Sequence, residues 1–350
     1  MKYKSLRNLE LHLNKTLIRN IVGAIAVGVL IALIIYLAIF YIRHYSIMIE
    51  LDNKIANGEE IKDISFLTTM IFENASLLIG FVGAAILIAT LYLQKQENKR
   101  QHFRTNFFEL LNIHRDNVKG ISTRGKTGHD AFLNIYKEFT VIWKTIDSSD
   151  LGGPTDAKLS FSYLALFWGV GENSSQILHR YAVEKLSDHY THSEIENAIK
   201  ELVQRKEEVS TKYKQKKNSD TSNKCRQPDD TNECSLQDDS AFEDTMLPCI
   251  LDGHQSDLGH YFRHLFQTVA YIDNESSLWY YEKYFFAKTL RGQFSNHEVA
   301  IFLLNALSPL GEDWVKKKYL HKYELIKNIP SELFPWYDFK KQFSDIEYEL

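Results

Sequence analysis

The sequence predicts an all-α protein: an N-terminal two-helix transmembrane hairpin, followed by a helical cytoplasmic domain that carries a charged, disordered insertion. Three observations predict this. Ile21 to Ile42 and Asn74 to Gln94 are long runs without a single charge. At 1.5 Å rise per residue each makes a helix of roughly 30 Å, the thickness of a bilayer's hydrocarbon core. Beyond them, apolar residues recur at spacings of three and four, the period of a helix face packed on a core. Residues 211–247 then interrupt that period with blocks of like charge and few apolar side chains.

The first twenty residues carry Lys2, Lys4, Arg7, Lys15 and Arg19 against Glu10 alone. The loop 43–73 is acidic, with Glu50, Asp52, Glu59, Glu60, Asp63 and Glu73. Lys95, Lys99, Arg100 and Arg104 follow the second run. Basic flanks stay on the cytoplasmic side. The expected topology is therefore a multi-pass protein of the bacterial inner membrane with both termini in the cytoplasm. Residues 1–96 form the anchor, spanning at 21–42 and 74–94 with loop 43–73 in the periplasm, and 97–350 form the cytoplasmic domain. A cleaved signal peptide fits poorly, because no small-x-small site follows the first run. Ala24, Gly28 and Ala32 recur every four residues, as do Gly80 and Ala84. Such stripes let helix backbones approach closely in lipid, either within one chain or in a homo-oligomer. Neither run contains an ionisable side chain, which leaves an ion path through the hairpin alone without support.

In the cytoplasmic domain, Phe103, Phe107, Leu110, Leu111, His114 and Val118 mark one helix face. Neither Pro nor Gly interrupts 93–117, so this helix is expected to continue out of the second span. Phe132, Leu133, Tyr136 and Phe139 mark a further helix face. Ser160 to Val170 is strongly apolar but too short to span, and reads as a buried core helix. Residues 174–209 read as one or two amphipathic helices. The insertion 211–247 pairs a basic half with an acidic half. Cys225, Cys234 and Cys249 fall in or beside it at spacings that match no zinc pattern, so neither metal nor cofactor is expected. Leu258 to Ile272 and the aromatic-rich Leu278 to Leu290 follow. The helix Ser295 to Leu307 opens on a capping box of Ser295 and Glu298 and stops at Pro309 and Gly311.

Phe107-Phe108-Glu109-Leu110-Leu111 with His114-Arg115, Gly259-His260-Tyr261-Phe262-Arg263-His264-Leu265-Phe266 with Tyr271-Ile272-Asp273, and Leu290-Arg291-Gly292-Gln293-Phe294-Ser295-Asn296 with Asn305-Ala306-Leu307-Ser308 form three ordered blocks. Together they resemble the phage abortive infection (AbiC-like) family, several members of which are similar to this chain in having two N-terminal spans. The resemblance covers the soluble body and omits the insertion. At position 292 this chain has Gly where the family pattern has Ala. The resemblance implies an anti-phage effector that sacrifices the infected cell, with a reverse transcriptase, a retron RNA–DNA complex or another defence-system protein as partner. The apolar runs add the lipid bilayer, their small-residue stripes add a homo-oligomer, and together with the resemblance they make disturbance of the inner membrane the expected mechanism. The resemblance supplies no catalytic residues.

The polar residues of those blocks are the candidate ligand or partner contacts: His114, Arg115, His260, Arg263, His264, Gln267, Arg291 and Asn296. His260, Arg263, His264 and Gln267 lie three and four apart and so share a side of one helix. Histidine and arginine at the border of an apolar face suit an anion such as a phosphate, a nucleotide or a lipid headgroup. They equally suit bridges between helices, with Glu109 and Asp273 as available carboxylates. Arg291 and His297 offer a separate reading. Their spacing resembles that of HEPN-type ribonucleases, in which Arg holds the RNA phosphate and His moves a proton. A non-catalytic membrane scaffold that recruits a defence partner is the third class. No phosphate-binding Gly loop, His-Glu-x-x-His or nucleophile elbow is present. The net charge of −4 argues against a broad nucleic-acid surface.

Overall fold

A computed structural model of the chain describes residues 35–348, apart from 37, 44, 51, 54, 58–63 and 221–250, and apart from the side chains of 64–79, 81, 82, 85, 89 and 212–220. The described elements are helical except for one small hairpin. Helix α1 (Ile64–Gly120) leads into the hairpin β1 (Ser122–Thr123) and β2 (Lys126–Thr127). Then come α2 (His129–Ser148), α3 (Thr155–Trp168), α4 (Glu172–Leu186), α5 (His192–Asp220), α6 (Gln255–Asn274), α7 (Tyr280–Arg291) and α8 (Asn296–Leu307). Short helices α9 (Glu312–Lys316), α10 (Tyr319–Tyr323) and α11 (Phe339–Gln342) close the chain.

The chain divides into two compact units. Of the described residues, one takes those from Asn106 to Glu275 and from Glu282 onward; the other takes those up to Thr105 and Ser276–Tyr281. In the larger unit α8 is the axis. Every residue from Glu298 to Ala306 is buried, as a helix apolar on all sides must be. It packs on α2 and α3, α3 packs on α4, and α5 packs on both α2 and α4. Helix α3 is buried almost continuously from Ala157 to Phe167, so the short apolar segment expected near 160–170 is a core helix. The capping box is present as expected: Ser295 Oγ accepts from Glu298 N (3.3 Å) and the Glu298 carboxyl from Ser295 N (3.2 Å).

Several expectations are corrected or extended. Helix α1 runs unbroken through 93–117, as expected, and on to Gly120. The all-α reading misses the hairpin. Its turn places Arg124 (φ 53°) and Gly125 (φ 78°) in the left-handed region, where Arg is a poor local signal. Helix α5 continues to Asp220, ten residues into the expected insertion; alternating basic and polar residues there are good helix formers. The rest of the insertion and all three cysteines lie outside the described residues.

Among the described residues no helix is long and apolar enough to cross a membrane. The expected first span, including Ala24, Gly28 and Ala32, lies outside the described residues up to residue 34. The expected second span is helical backbone within α1, with many of its side chains outside the described set. Gly80 and Ala84 are both exposed, and Ile86, Leu87, Ile88, Leu91 and Leu93 are 60–69% exposed.

Two glycines fix a close approach in the larger unit. Cβ atoms built on Gly169 (φ +76°) and Gly253 (φ +88°) would come within 2.5–2.6 Å of each other's strand of backbone, so only glycine fits. Backbone bonds Val170 N to Leu251 O (2.8 Å) and His254 N to Phe167 O (3.0 Å) lie on either side of that approach. Replacing Gly169 by Ala is expected to lower stability by more than about 1 kcal/mol, read as a lower midpoint in urea unfolding, whereas Gly120→Ala, with open space around it, has no such effect.

Candidate functional site

The larger unit buries a polar cluster centred on Glu298, which is fully enclosed. The cap places Glu298 at the third position of α8, where its carboxyl reaches back over the helix start. From α6, Tyr261 Oη donates to Oε1 at 2.6 Å. From the start of α2, His129 Nδ1 lies 3.0 Å from Oε2. From α1, His114 Nε2 approaches Oε1 to 3.5 Å, an ion-pair separation without hydrogen-bond geometry. Four helices therefore converge on one carboxyl group.

The remaining ring contacts close the cluster. His114, 1% exposed, stacks on His264 of α6 at 6.4 Å between ring centroids, with the planes 20° apart. It also meets Tyr261 at 5.4 Å and Phe294 at 5.6 Å. Phe132 covers the other side of Tyr261. Among the described residues, neither ring nitrogen of His114 or of His264 makes a hydrogen bond. Burial, and then the charge His114 would carry, hold His264 below the ordinary imidazole pKa. Burial and the adjacent Glu298 push the Tyr261 hydroxyl far above its ordinary range, so it remains a donor. Among the described residues no group of three or more His, Cys, Asp or Glu side chains is arranged to hold a metal ion.

The sequence-selected residues separate into three sets. His114 and His264 enter the cluster. Arg115 is exposed but its Nε donates to Gln293 Oε1 at 2.9 Å, tying α1 to the turn before α8. His260, Arg263 and Gln267 are exposed on α6, and Asn296 is exposed at the start of α8. The shared side expected for 260, 263, 264 and 267 thus splits, with His264 alone turned inward. The carboxylates expected to serve these residues are not the ones used. Asp273 instead accepts from Tyr323 (2.6 Å) and Lys322, which with those hydrogen bonds lower its pKa against the opposing effect of burial. Arg291 is buried, and its Nη1 donates to the Glu324 carbonyl at 2.7 Å. His297 is half-buried, tilted on Tyr136 at 5.6 Å, and burial lowers its pKa. Nothing in these contacts assembles Arg291 and His297 as a ribonuclease pair.

Sequence reasoning missed Tyr261 and His129 as members of the cluster and took Glu298 only as a cap. The signal available for Glu298 was its place directly before Val299 to Leu304, a run apolar on every side of the helix. Sequence reasoning also missed Glu138, fully buried on α2. Its carboxyl accepts from Arg124 Nη2 (2.7 Å) and Leu251 N (2.8 Å), and His254 Nε2 lies 3.1 Å away.

Residues 253–334 match the family model described as "Putative phage abortive infection protein". That segment carries α6, α7 and α8, and with them Tyr261, His264 and Glu298. It includes the second and third sequence blocks and excludes the block at 107–115. No curated protein and no solved structure matches the chain.

Glu298→Ala is expected to destabilise the fold by about 3 kcal/mol, since it strands a buried tyrosine hydroxyl and a backbone N–H. Asn296→Ala should stay within about 0.5 kcal/mol; chemical denaturation of the two variants checks both. Acid should also weaken the fold. Both His264 and His297 have pKa values depressed on folding, so the unfolded chain binds protons first. Their effect is absent well above pH ~6.5 and grows as pH falls through the ordinary imidazole range. A His264→Asn, His297→Asn variant should show a flatter dependence of Tm on pH below neutrality.

Proposed function

We propose that this chain is a phage-defence protein that acts by abortive infection, anchored to the inner membrane by its N-terminal apolar segments. The match of residues 253–334 to an abortive infection family carries the defence assignment. It falls on the helices that build the Glu298 cluster, so the resemblance lies in the structural heart of the larger unit rather than in a peripheral segment.

Anchoring is supported by the exposed face of α1. Ile86, Leu87, Ile88, Leu91 and Leu93 present large apolar side chains on successive sides of one helix. Withdrawing each from water is worth roughly 1.5–3 kcal/mol, and a surface apolar on all sides of a helix suits lipid. The charge asymmetry of the flanks gives the orientation, with the larger unit in the cytoplasm. On this reading infection releases the helical body from restraint and the hairpins repack through their small-residue stripes, alone or as a homo-oligomer, so that the membrane loses its potential. A reverse transcriptase with its RNA–DNA product, or another defence-system protein, is the partner class that would hold the resting state.

Cells expressing the chain with its neighbouring genes should plate phage at reduced efficiency, and infected cells should die before releasing progeny. A membrane-potential dye should report depolarisation at that stage. Gly28→Arg with Gly80→Arg should remove both effects if the spans act together. Killing with an unchanged dye signal would leave the defence assignment standing and remove the membrane mechanism.

A further inference from the structure

The smaller unit contains a cleft of about 500 Å³ between α1 and the segment before α7, lined by Tyr92, Lys95, Gln96, Lys99, Arg100 and residues 276–279. The α1 residues fall at spacings of three and four, so they share one helix face. Gln96 Nε2 donates to Tyr92 Oη at 2.9 Å across one turn of that face. Three of the lining side chains are cationic, and among the described residues the lining carries no carboxylate. Trp279 and Tyr92 supply aromatic rings with polar atoms at their edges.

The position of the cleft identifies its ligand. It opens within one turn of Leu91 and Leu93, the last of the exposed apolar side chains of α1. Along one helix the surface passes from apolar to aromatic to cationic within a few residues, the order of the layers in a membrane leaflet: acyl chains, interface, phosphate. A phosphate held by Lys95, Lys99 and Arg100 would leave acyl chains to run along Ile88 and Leu91. We infer that this cleft binds the phosphate-bearing headgroup of an anionic phospholipid and fixes the depth of α1 at the cytoplasmic face. The inference rests on the membrane-anchored reading above. It is independent of how the protein kills, and of the Glu298 cluster.

The test uses the full chain purified in mild detergent and offered equal amounts of phosphatidylglycerol and phosphatidylcholine, with retained lipid read by native mass spectrometry and affinity by titration with a short-chain phosphatidylglycerol. Selective retention of phosphatidylglycerol is expected. Lys95→Gln, Lys99→Gln and Arg100→Gln together should weaken it on the order of a hundredfold, the sum expected of three basic residues at a lipid surface. The single variants should each show a part of that loss, which keeps the test valid if the triple variant misfolds. Lys119→Gln, on the same helix but 76% exposed and outside the cleft, should change nothing. Equal retention of the two lipids, or selectivity surviving in the single and triple variants, overturns the assignment. So does displacement of phosphatidylglycerol by millimolar inorganic phosphate with the same stabilisation, which would make free phosphate the ligand. Membrane fractionation of expressing cells separates the two claims. A chain recovered in the aqueous fraction without detergent sinks the anchoring. Flotation of that soluble chain with phosphatidylglycerol vesicles, but not with phosphatidylcholine vesicles, would then still uphold the cleft, and failure to float would sink it too.

Discussion

The larger unit depends on one buried carboxyl group. Glu298 is withdrawn from water completely, and an acidic group so placed costs several kcal/mol unless fixed donors replace the solvent. The donors come from far apart in the chain: Tyr261 on α6, His129 at the start of α2 and the Ser295 N–H of its own cap, with His114 of α1 alongside. None of these can shift by an ångström without leaving the carboxyl group underserved. The requirement therefore fixes α1, α2 and α6 against α8 more sharply than apolar packing, which tolerates exchange of similar shapes. The same group is also the cap of α8, so the helix start and the helix assembly are specified by one side chain.

A second buried carboxyl group, Glu138, does related work at the edge of the unit. It receives the hairpin through Arg124 and the chain re-entering after residue 250 through the Leu251 N–H and His254. Lys206 of α5 adds bonds to the carbonyls of Val170 and Leu251 and pairs with Asp252 at 2.7 Å. Beside them the Gly169–Gly253 approach brings two backbones too close for any side chain. Residues 251–254 are thereby pinned from three directions. The chain therefore re-enters the core at a fixed point at Leu251, so the segment from 253 that matches the family model keeps its register with the helices that precede it.

Along α1 the chemistry changes in order. Exposed apolar residues at 86–93 give way to the cationic face at 95–100, and then to Phe107, Leu111, His114 and Val118, which are buried in the larger unit. One helix therefore presents an exposed apolar surface, a cationic surface and a core-forming surface in succession. That order joins the proposed anchoring to the proposed defence role: the element that would meet the bilayer is the element that carries His114 to Glu298. The stacked rings of His114 and His264 have no hydrogen-bond partner among the described residues, although Glu298 itself is well served.

The sequence by itself determined the helical class, the approximate limits of most helices, the cap at Ser295 and the unbroken course of α1. All of these follow from local spacing, propensity and, over 93–117, the absence of Pro and Gly, which act within a turn or two of chain. It also drew attention to His114 and His264 without saying that they meet. The tertiary structure alone decided that His114 stacks on His264 and lies beside Glu298, that Arg291 is spent on the Glu324 carbonyl, that Asp273 serves Lys322 and Tyr323, and that His260, Arg263 and Gln267 face outward. It likewise decided the hairpin and the glycine contact at 169 and 253. Apart from the local hairpin, these depend on which groups, many helical turns apart in the chain, must share a space without water, and a pattern with a period of 3.6 carries no record of that.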